Sequence, residues 1–574
     1  MRLWRSPGRR HNRRARPAGC PGDLEGLEVM KGVPAKQAYD VIIIGAGHNG
    51  LVAAAYLARA HLRVLVLERR EVLGGAAATE AIFPGYRVDT GSFSAGSFLP
   101  RLVQELNLAQ QSLEFLEGPA WAHALQLDGR GLTFWRDVSR SQAEIEQFSP
   151  KDAAKYPAYL EELRRHARLL QATWTMIPPH IPETRWSELL SWTPIGWQLR
   201  RQGKRAMMEF TRALPMPAAD YLDERFESQA LKGALASASA FGGLLSPGAA
   251  GTALMLFYQA IGAGPGAAWA LRSVRGGTGR LSEALAKAAQ AHGAEVCLES
   301  GVRRVWLQDG RAAGVSLESG EQLSARVVVS NAGPGQTFFG LVGAEHLPVR
   351  FVRELKNIKY RGGAGRVALA LADLPDFPGV SGAGKEERLS GRILLAPGLE
   401  YLEKAADAAK FGRLPDNLPL EAAIPTILDA SLAPPGRHLM LVNVQYTPYR
   451  LVEGDWEARR DELGRRVVET LETYAPGFSR LVLDCRAWTP LDMERIFGLT
   501  EGSYSHGEMG LDQLLFMRPV PGYGQYRTPI RGLYLCSAGT HPGGGVTGAP
   551  GYNATRAVLQ DLSRQTGVVP GRPD

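Results

Sequence analysis

Between Asp40 and Glu68 the chain reads DVIIIGAGHNGLVAAAYLARAHLRVLVLE. An apolar β-branched run at 41–44 stops at Gly45, and Gly45, Gly47 and Gly50 form G-x-G-x-x-G. Small apolar residues at helical spacing follow (Leu51, Ala54, Ala55, Ala58), then a second apolar run at 64–67 ending in Glu68. Strand, glycine turn, helix, strand and acid within about 30 residues make the glycine pattern a dinucleotide-binding signature. Gly45 allows the turn, Gly47 lets backbone approach a pyrophosphate, and Gly50 lets the helix close on the sheet. The helix N-terminus turns free N–H groups and its positive dipole end toward the phosphates. Glu68, eighteen residues beyond Gly50, is placed to accept hydrogen bonds from a ribose diol. The rival reading is a βαβ unit with an accidental Gly-rich turn; the two strands and the acid favour the nucleotide.

A chain of 574 residues is long enough for two or more domains, each with its own core. At 45% hydrophobic and 22% charged residues it has average soluble globular usage. The net charge of +8 is concentrated in residues 1–22, where Arg2, Arg5, Arg9, Arg10, Arg13, Arg14 and Arg16 occur with no acid. The remainder is near neutral, so no nucleic-acid-binding face is implied. The Arg-rich start has the composition of a mitochondrial presequence. Pro7, Gly8 and Pro17 interrupt its helix, and Ser6 is its only hydroxyl residue. A disordered tail, or an upstream extension with Met30 as the working start, is the plainer reading. Cys20, Cys297, Cys485 and Cys536 include no C-x-x-C, so neither a thiol relay, a disulfide framework nor a metal site is expected. A soluble protein of a reducing compartment fits: cytoplasm in a bacterium, the mitochondrial matrix in a eukaryote.

After Glu68 come Arg69, four further residues and Gly74-Gly75. A Gly pair lets a loop fold close over a cofactor, and an Arg beside it can neutralise phosphate; a surface turn is the alternative. Asp89-Thr90-Gly91 follows a short expected strand at 86–88 and is either a second loop under the cofactor or a turn. Glu68-Arg69-x4-Gly74-Gly75 behind G-x-G-x-x-G resembles the two-part FAD signature of the phytoene-desaturase-like flavoproteins. These are the carotenoid and retinoid oxidoreductases, within the amine-oxidase-type flavin fold. The resemblance implies FAD held by Gly45, Ala46, Gly47, Asn49, Gly50, Glu68, Arg69, Gly74 and Gly75. In it the acid binds the adenosine ribose and the Gly pair lies near the pyrophosphate.

Ser149-Pro150-Lys151-Asp152 is a helix start, with an N-cap Ser, Pro at N1 and an acid at N3. Trp174, Trp186, Trp192 and Trp197 then fall close together, before Arg200, Arg201, Lys204 and Arg205. Amphipathic rings beside basic residues suit peripheral membrane contact or the mouth of a tunnel for a lipophilic substrate. Ordinary core tryptophans beside a solvated basic face are the plainer reading. Residues 233–271 carry no charged side chain, yet Gly242, Gly243, Pro247, Gly248, Gly251 and Gly262 break any membrane-spanning helix. They read instead as tightly packed backbone lining a dry cavity.

A helix is expected over 281–292, then strands at 295–298, 302–307, 313–317 and 326–330, turning at Asp309-Gly310 and Ser319-Gly320 as a β-meander. The resemblance places the backbone of Val302 against adenine and brings the strand end at Asn331 to the adenosine half. Farther on, strands are expected at 367–371, 393–396, 423–428, 439–446 and 481–487, with a helix at 456–474. The last segment runs from a strand at 533–536 into Ser537-Ala538-Gly539-Thr540-His541-Pro542-Gly543-Gly544-Gly545-Val546-Thr547-Gly548 and a closing helix to about 562. Its turn aims N–H groups at an anion. The resemblance makes it the flavin loop, with Gly539, Gly544 and Val546 among the cofactor contacts. Ala538-Gly539 stands where many relatives have Gly-Asp, which removes an Asp contact to the ribityl or pyrophosphate group.

The expected fold is therefore α/β, a Rossmann-like FAD-binding domain of glutathione-reductase/amine-oxidase type with an inserted α+β substrate domain. Its division is a basic tail over 1–37, FAD-binding parts at 38–135, 271–340 and 511–565, and a short tail at 566–574. A helical cap at 136–270 and a substrate domain at 341–510 separate these parts. The expected function is FAD-dependent oxidation of a hydrophobic small molecule by hydride transfer to flavin N5, with an outside electron acceptor. Two alternatives stand beside it: amine oxidation, and a flavin-binding regulatory protein of mitochondrial function with protein partners and little turnover. No catalytic acid or base is assignable; His541 has a suitable titration range but reads equally as a buried, hydrogen-bonded histidine.

Overall fold

A computed structural model describes residues 27–31 and 38–566, apart from 181–185, 241, 378, 381 and 383. The Arg-rich segment and the final tail lie outside these residues. Two large sheets organise the described chain. The first runs Met30–Lys31, Glu295–Leu298, Val64–Leu67, Tyr39–Ile44 and Gln322–Ser330 as parallel neighbours. Leu533–Leu535 pairs parallel with the end of Gln322–Ser330, and Arg311–Leu317 and Val302–Gln308 continue from its beginning as antiparallel strands. The Val/Ile-rich runs expected of strands buried on both faces are completely covered: Val41, Ile42, Ile43, Leu65 and Val66 are 0% exposed.

Between the first two strands of the motif lies the helix His48–Arg59, whose residues from Asn49 to Ala58 are all buried. Its alanines let it pack closely against Gly279–Gln290 and Ala549–Thr566. The expected four-stranded meander is corrected in one respect. Glu295–Leu298 does not turn back on Val302–Gln308 but pairs parallel with Val64–Leu67, because its wholly apolar Val296–Leu298 run belongs in the buried sheet. Met30–Lys31 adds a parallel strand beside it, so this piece of the expected tail is part of the sheet.

The second sheet has the order Val482–Trp488, Ala364–Leu371, His438–Gln445, Leu420–Ala423, Arg392–Leu395, Ala120–Leu125 and Gly131–Trp135. The last two strands lie inside the stretch assigned by sequence to the FAD-binding part. That boundary is corrected: Ala122, His123 and Ala124 pair with Arg392–Leu394 across the second sheet, a partnership no local pattern announces. The strand expected at 423–428 is Leu420–Ala423, after which Pro425 opens a 3-10 turn. The strand expected at 86–88 is Val88–Asp89, paired with Thr79–Glu80.

Side chains alternate across a strand, and this sheet uses the two faces differently. Val367, Leu369, Ile393, Ala422, Met440 and Val442 pack on Leu463, Val467 and Leu471 of the helix Trp456–Tyr474. The opposite face carries Ala368, Ala370, Ala423, Leu439 and Leu441, with a row of polar residues described below. Among the described residues no helix is long and apolar enough to cross a membrane. Of the tryptophan cluster, Trp174 is buried against Tyr258 (centroids 5.1 Å apart), Trp192 donates to the Ile177 carbonyl (3.2 Å), and Trp197 is 60% exposed beneath Arg201. The side chain of Trp186 lies outside the described residues.

Candidate cofactor and substrate cavity

A single cavity of about 340 Å³ begins at the carboxyl ends of Tyr39–Ile44 and Val64–Leu67 and reaches the alternate face of the second sheet. At the first end the chain turns at Gly45 with φ +94°, a conformation that strains any residue with a Cβ. The helix His48–Arg59 starts at Gly47 with no side-chain cap and no acid in its first turn. Its N-terminal N–H groups are thus left for an external acceptor. Gly47 bridges Gly74, and the Gly74 N–H donates to the Ala46 carbonyl (3.0 Å). The two halves of the glycine signature therefore form one wall.

Glu68 is buried at this end. Its Oε2 accepts from the Ala46 N–H at 2.9 Å and its Oε1 from the Arg70 N–H at 3.0 Å. These bonds fix the carboxylate without exhausting its acceptor capacity. Val302, Gly301 and Glu318 line the same end. Arg69 also lines the cavity, but one guanidinium nitrogen donates to the carbonyls of Arg495 (3.2 Å) and Ile496 (2.7 Å). It closes the C-terminal end of the helix Pro490–Phe497, where carbonyls lack intrahelical partners. Through that nitrogen it bridges the two regions while still lining the cavity.

Gly45, Gly47, Asn49, Glu68, Arg69, Gly74, Gly75, Val302 and Val546 line the cavity. Ala46, Gly50, Gly539 and Gly544 stand behind the lining. Ala46 holds Glu68, Gly50 has its Cα against the Gly45 carbonyl, the Gly539 N–H bonds Ser537 (3.2 Å), and the Gly544 carbonyl accepts from Tyr258 (2.7 Å). His541 is not among the lining residues. Its Nε2 lies 2.8 Å from the Thr173 carbonyl, and burial pushes its pKa down to about 4. It ties the flavin loop to the end of the helix Pro150–Trp174.

Two further histidines, His48 and His506, belong to this site. Both line the cavity, where His48 Nε2 and His506 Nδ1 are buried without partners. Burial lowers both to about 4, so both rings are neutral at neutral pH. The position of His48 within the glycine motif was the available signal. Arg518, 2% exposed, supports this region from behind. Its guanidinium donates to the carbonyls of Ala538, Glu508, Gln513, Gly507 and Ser505, holding the flavin loop to the preceding turn.

An uncapped helix start, a glycine wall, a fixed ribose acid and two orphaned buried ring nitrogens fit a dinucleotide that both accepts and donates hydrogen bonds. The cavity then continues past Phe93, Ser237, Ala238, Gln259, Trp269 and Ala396. The charge-free segment at 233–271 does contribute to its wall. The far wall is not charge-free, however: Arg392, Glu421, Asn443 and Gln445 enter from the second sheet. Among the described residues no group of three or more His, Cys, Asp or Glu side chains is placed to hold a metal ion.

Residues 50–558 match the family described as "Flavin containing amine oxidoreductase". The chain is 38% identical over 549 residues to pyridine nucleotide-disulfide oxidoreductase domain-containing protein 2 of Rattus norvegicus, covering 92% of this chain and 94% of that protein. It is 26% identical to phytoene desaturase (lycopene-forming) of Pantoea ananas, covering 91% and 99%. Among solved structures, an oxidoreductase from Methanosarcina mazei superposes with a TM-score of 0.58 at 16% identity, over 91% of this chain and 99% of that one. This chain therefore belongs to the flavin-containing amine oxidoreductase family, is related to the phytoene desaturases, and is an FAD-dependent oxidoreductase.

Proposed function

We propose that the protein dehydrogenates a largely apolar small molecule held in the part of the cavity beyond the flavin, with an outside acceptor taking the electrons. When bound, FAD supplies the hydride acceptor at N5. The observation that carries this reading is the continuity of one cavity from the glycine wall to Phe93, Trp269, Ala270 and Ala396. Phe93, Ala238, Trp269, Ala270, Leu395 and Ala396 supply apolar surface to that space, which favours an apolar guest over a solvated one. The chain's own contribution is binding, orientation and water exclusion. His48 and His506, neutral and unpartnered on one nitrogen each, present those atoms for hydrogen bonds to the bound cofactor or substrate.

Anaerobic mixing of the FAD-loaded protein with apolar alkenes, polyenes and hydrophobic alcohols tests the proposal. Bleaching of oxidised flavin absorption by one of these classes, followed by recovery with a quinone or O₂, is the expected result. Bleaching by amines alone would move the assignment to amine oxidation. A flavin that no donor reduces, in a folded and fully loaded protein, would leave the regulatory reading.

A further inference from the structure

The cavity-facing side of the second sheet carries a cross-strand row that the oxidoreductase reading does not use. Strand register sets Arg366 opposite Asn443, and Asn443 opposite Glu421. Arg392 lies two residues before Leu394, the partner of Glu421, and so shares the same face. Hydrogen bonds run along the row. Arg366 Nη1 donates to Asn443 Oδ1 at 2.9 Å, Asn443 Nδ2 to Glu421 Oε2 at 3.3 Å, and Arg392 Nε to Glu421 Oε1. Arg392 also donates through Nη2 to the Ala270 carbonyl at 3.1 Å and lies 5.4 Å from the Trp269 ring centroid.

Three buried polar atoms at this wall lack partners: Arg392 Nη1, Gln445 Oε1 and the Tyr504 hydroxyl. Arg392 and Gln445 are each 6% exposed, and all three residues line the cavity. An orphaned buried guanidinium nitrogen is costly, and such groups call for a ligand or water. Charge selects which ligand. The row holds two guanidinium groups against the single carboxylate of Glu421, and that carboxylate is already engaged on both oxygens. Asp89 meets Arg366 through its backbone carbonyl, while its own carboxyl is bonded by Thr79 and the Thr278 N–H. Burial raises the Asp89 pKa, away from the charged form. This wall repels an ammonium group and attracts an anion.

Resting on the reading of an apolar substrate beyond the flavin, we propose that this substrate carries a carboxylate at its far end. Arg392 Nη1 and the Tyr504 hydroxyl donate to that carboxylate, as does the Gln445 amide once turned to present Nε2. The apolar body then lies between this anchor and the flavin. The anchor fixes which carbon faces the cofactor, since a charge-assisted bond to an Arg sets orientation as well as affinity.

Decanoate, decanol and decylamine test the anchor as probes titrated anaerobically into FAD-loaded protein, any bleaching of the flavin being scored as turnover and not as binding. Binding is read from the flavin difference spectrum and from calorimetry. Decanoate should bind at least about tenfold more tightly than decanol or decylamine, the size of one hydrogen bond to a charged group. Y504F removes a hydroxyl that has no partner, so it should leave thermal stability unchanged while weakening decanoate about tenfold and decanol hardly at all. R392K keeps the charge beside Glu421 but shortens its reach, and should also erase the preference for the acid. Equal binding of decanoate and decanol, preference for decylamine, or unchanged decanoate affinity in Y504F overturns the anchor and leaves the apolar-substrate reading intact. Failure of all three probes to bind overturns both. If R392K does not fold, Y504F decides.

Discussion

Replacing Gly47 by valine isolates cofactor binding from folding. Gly47 has φ −69° and ψ 162°, an extended conformation open to any residue, so the substitution brings no backbone strain. A Cβ at this position would lie 2.8 Å from Asn331 Nδ2, the end of a side chain that can turn aside, and 3.9 Å from the Gly74 carbonyl. The two γ-carbons of valine would then occupy the space between the glycine wall and the helix start. The pyrophosphate would lose contact with about two backbone N–H donors, each contributing about 1.5–3 kcal/mol to a charged acceptor. The sum, about 3–6 kcal/mol, corresponds to a rise in Kd of roughly 10²–10⁴. FAD content after desalting and affinity from flavin fluorescence quenching measure the loss, with urea unfolding of the apoprotein as the control. Gly50→Ala is the complementary case. Its Cβ would stand 2.3 Å from the Gly45 backbone carbonyl, so it should lower the stability of the apoprotein itself. A Gly47→Val protein that purifies yellow with a full complement of FAD would refute the placement of the pyrophosphate.

Three further outcomes follow from the geometry. Glu68→Ala frees the N–H groups of Ala46 and Arg70 as well as the ribose, and should weaken FAD by about 1–3 kcal/mol; an unchanged dissociation constant would remove the ribose role. Burial holds the pKa of His123 at about 3 and of His541 at about 4 in the folded chain, against roughly 6.5 when unfolded. The unfolded chain therefore binds more protons as pH falls from about 6.5 toward 4, and stability falls by up to about 1.4 kcal/mol per pH unit for each ring. A urea midpoint that is the same at pH 7 and pH 5 would contradict this. Arg518→Lys cannot serve five carbonyls from one ammonium group and should cost at least about 2 kcal/mol. Differential scanning calorimetry and FAD retention should fall together, because the guanidinium holds Ala538 in the flavin loop.

The nucleotide cradle was legible in the sequence because its parts are neighbours in the chain. Tyr39–Ile44, Gly45, the helix His48–Arg59 and Val64–Leu67 fold against one another locally. Their apolar period, small residues and terminal acid therefore each carry a signal. The closing loop was legible for the same reason, as one strand–turn–helix. Placement of His541 was not. Its direction depends on Thr173, 368 residues earlier, and nothing in the local pattern chooses between the cavity and that carbonyl.

The second sheet marks the limit most clearly. Its strands were recognisable as apolar runs, but their order joins Ala120–Leu125 to Arg392–Leu395, and only packing of the whole chain selects that edge. Asn443 and Gln445, two polar residues alternating after the apolar run at 439–442, were a readable hint of a polar face. Which face that is, and that Arg392 and Glu421 meet there across 29 residues of sequence, is decided by register. Read locally, the residues specify a dinucleotide cradle, since local geometry dictates how a βαβ turn meets a pyrophosphate, and it was the resemblance that made the dinucleotide FAD. The tertiary structure decided what lies opposite it, since the substrate wall is assembled from strands whose pairing is set by long-range burial.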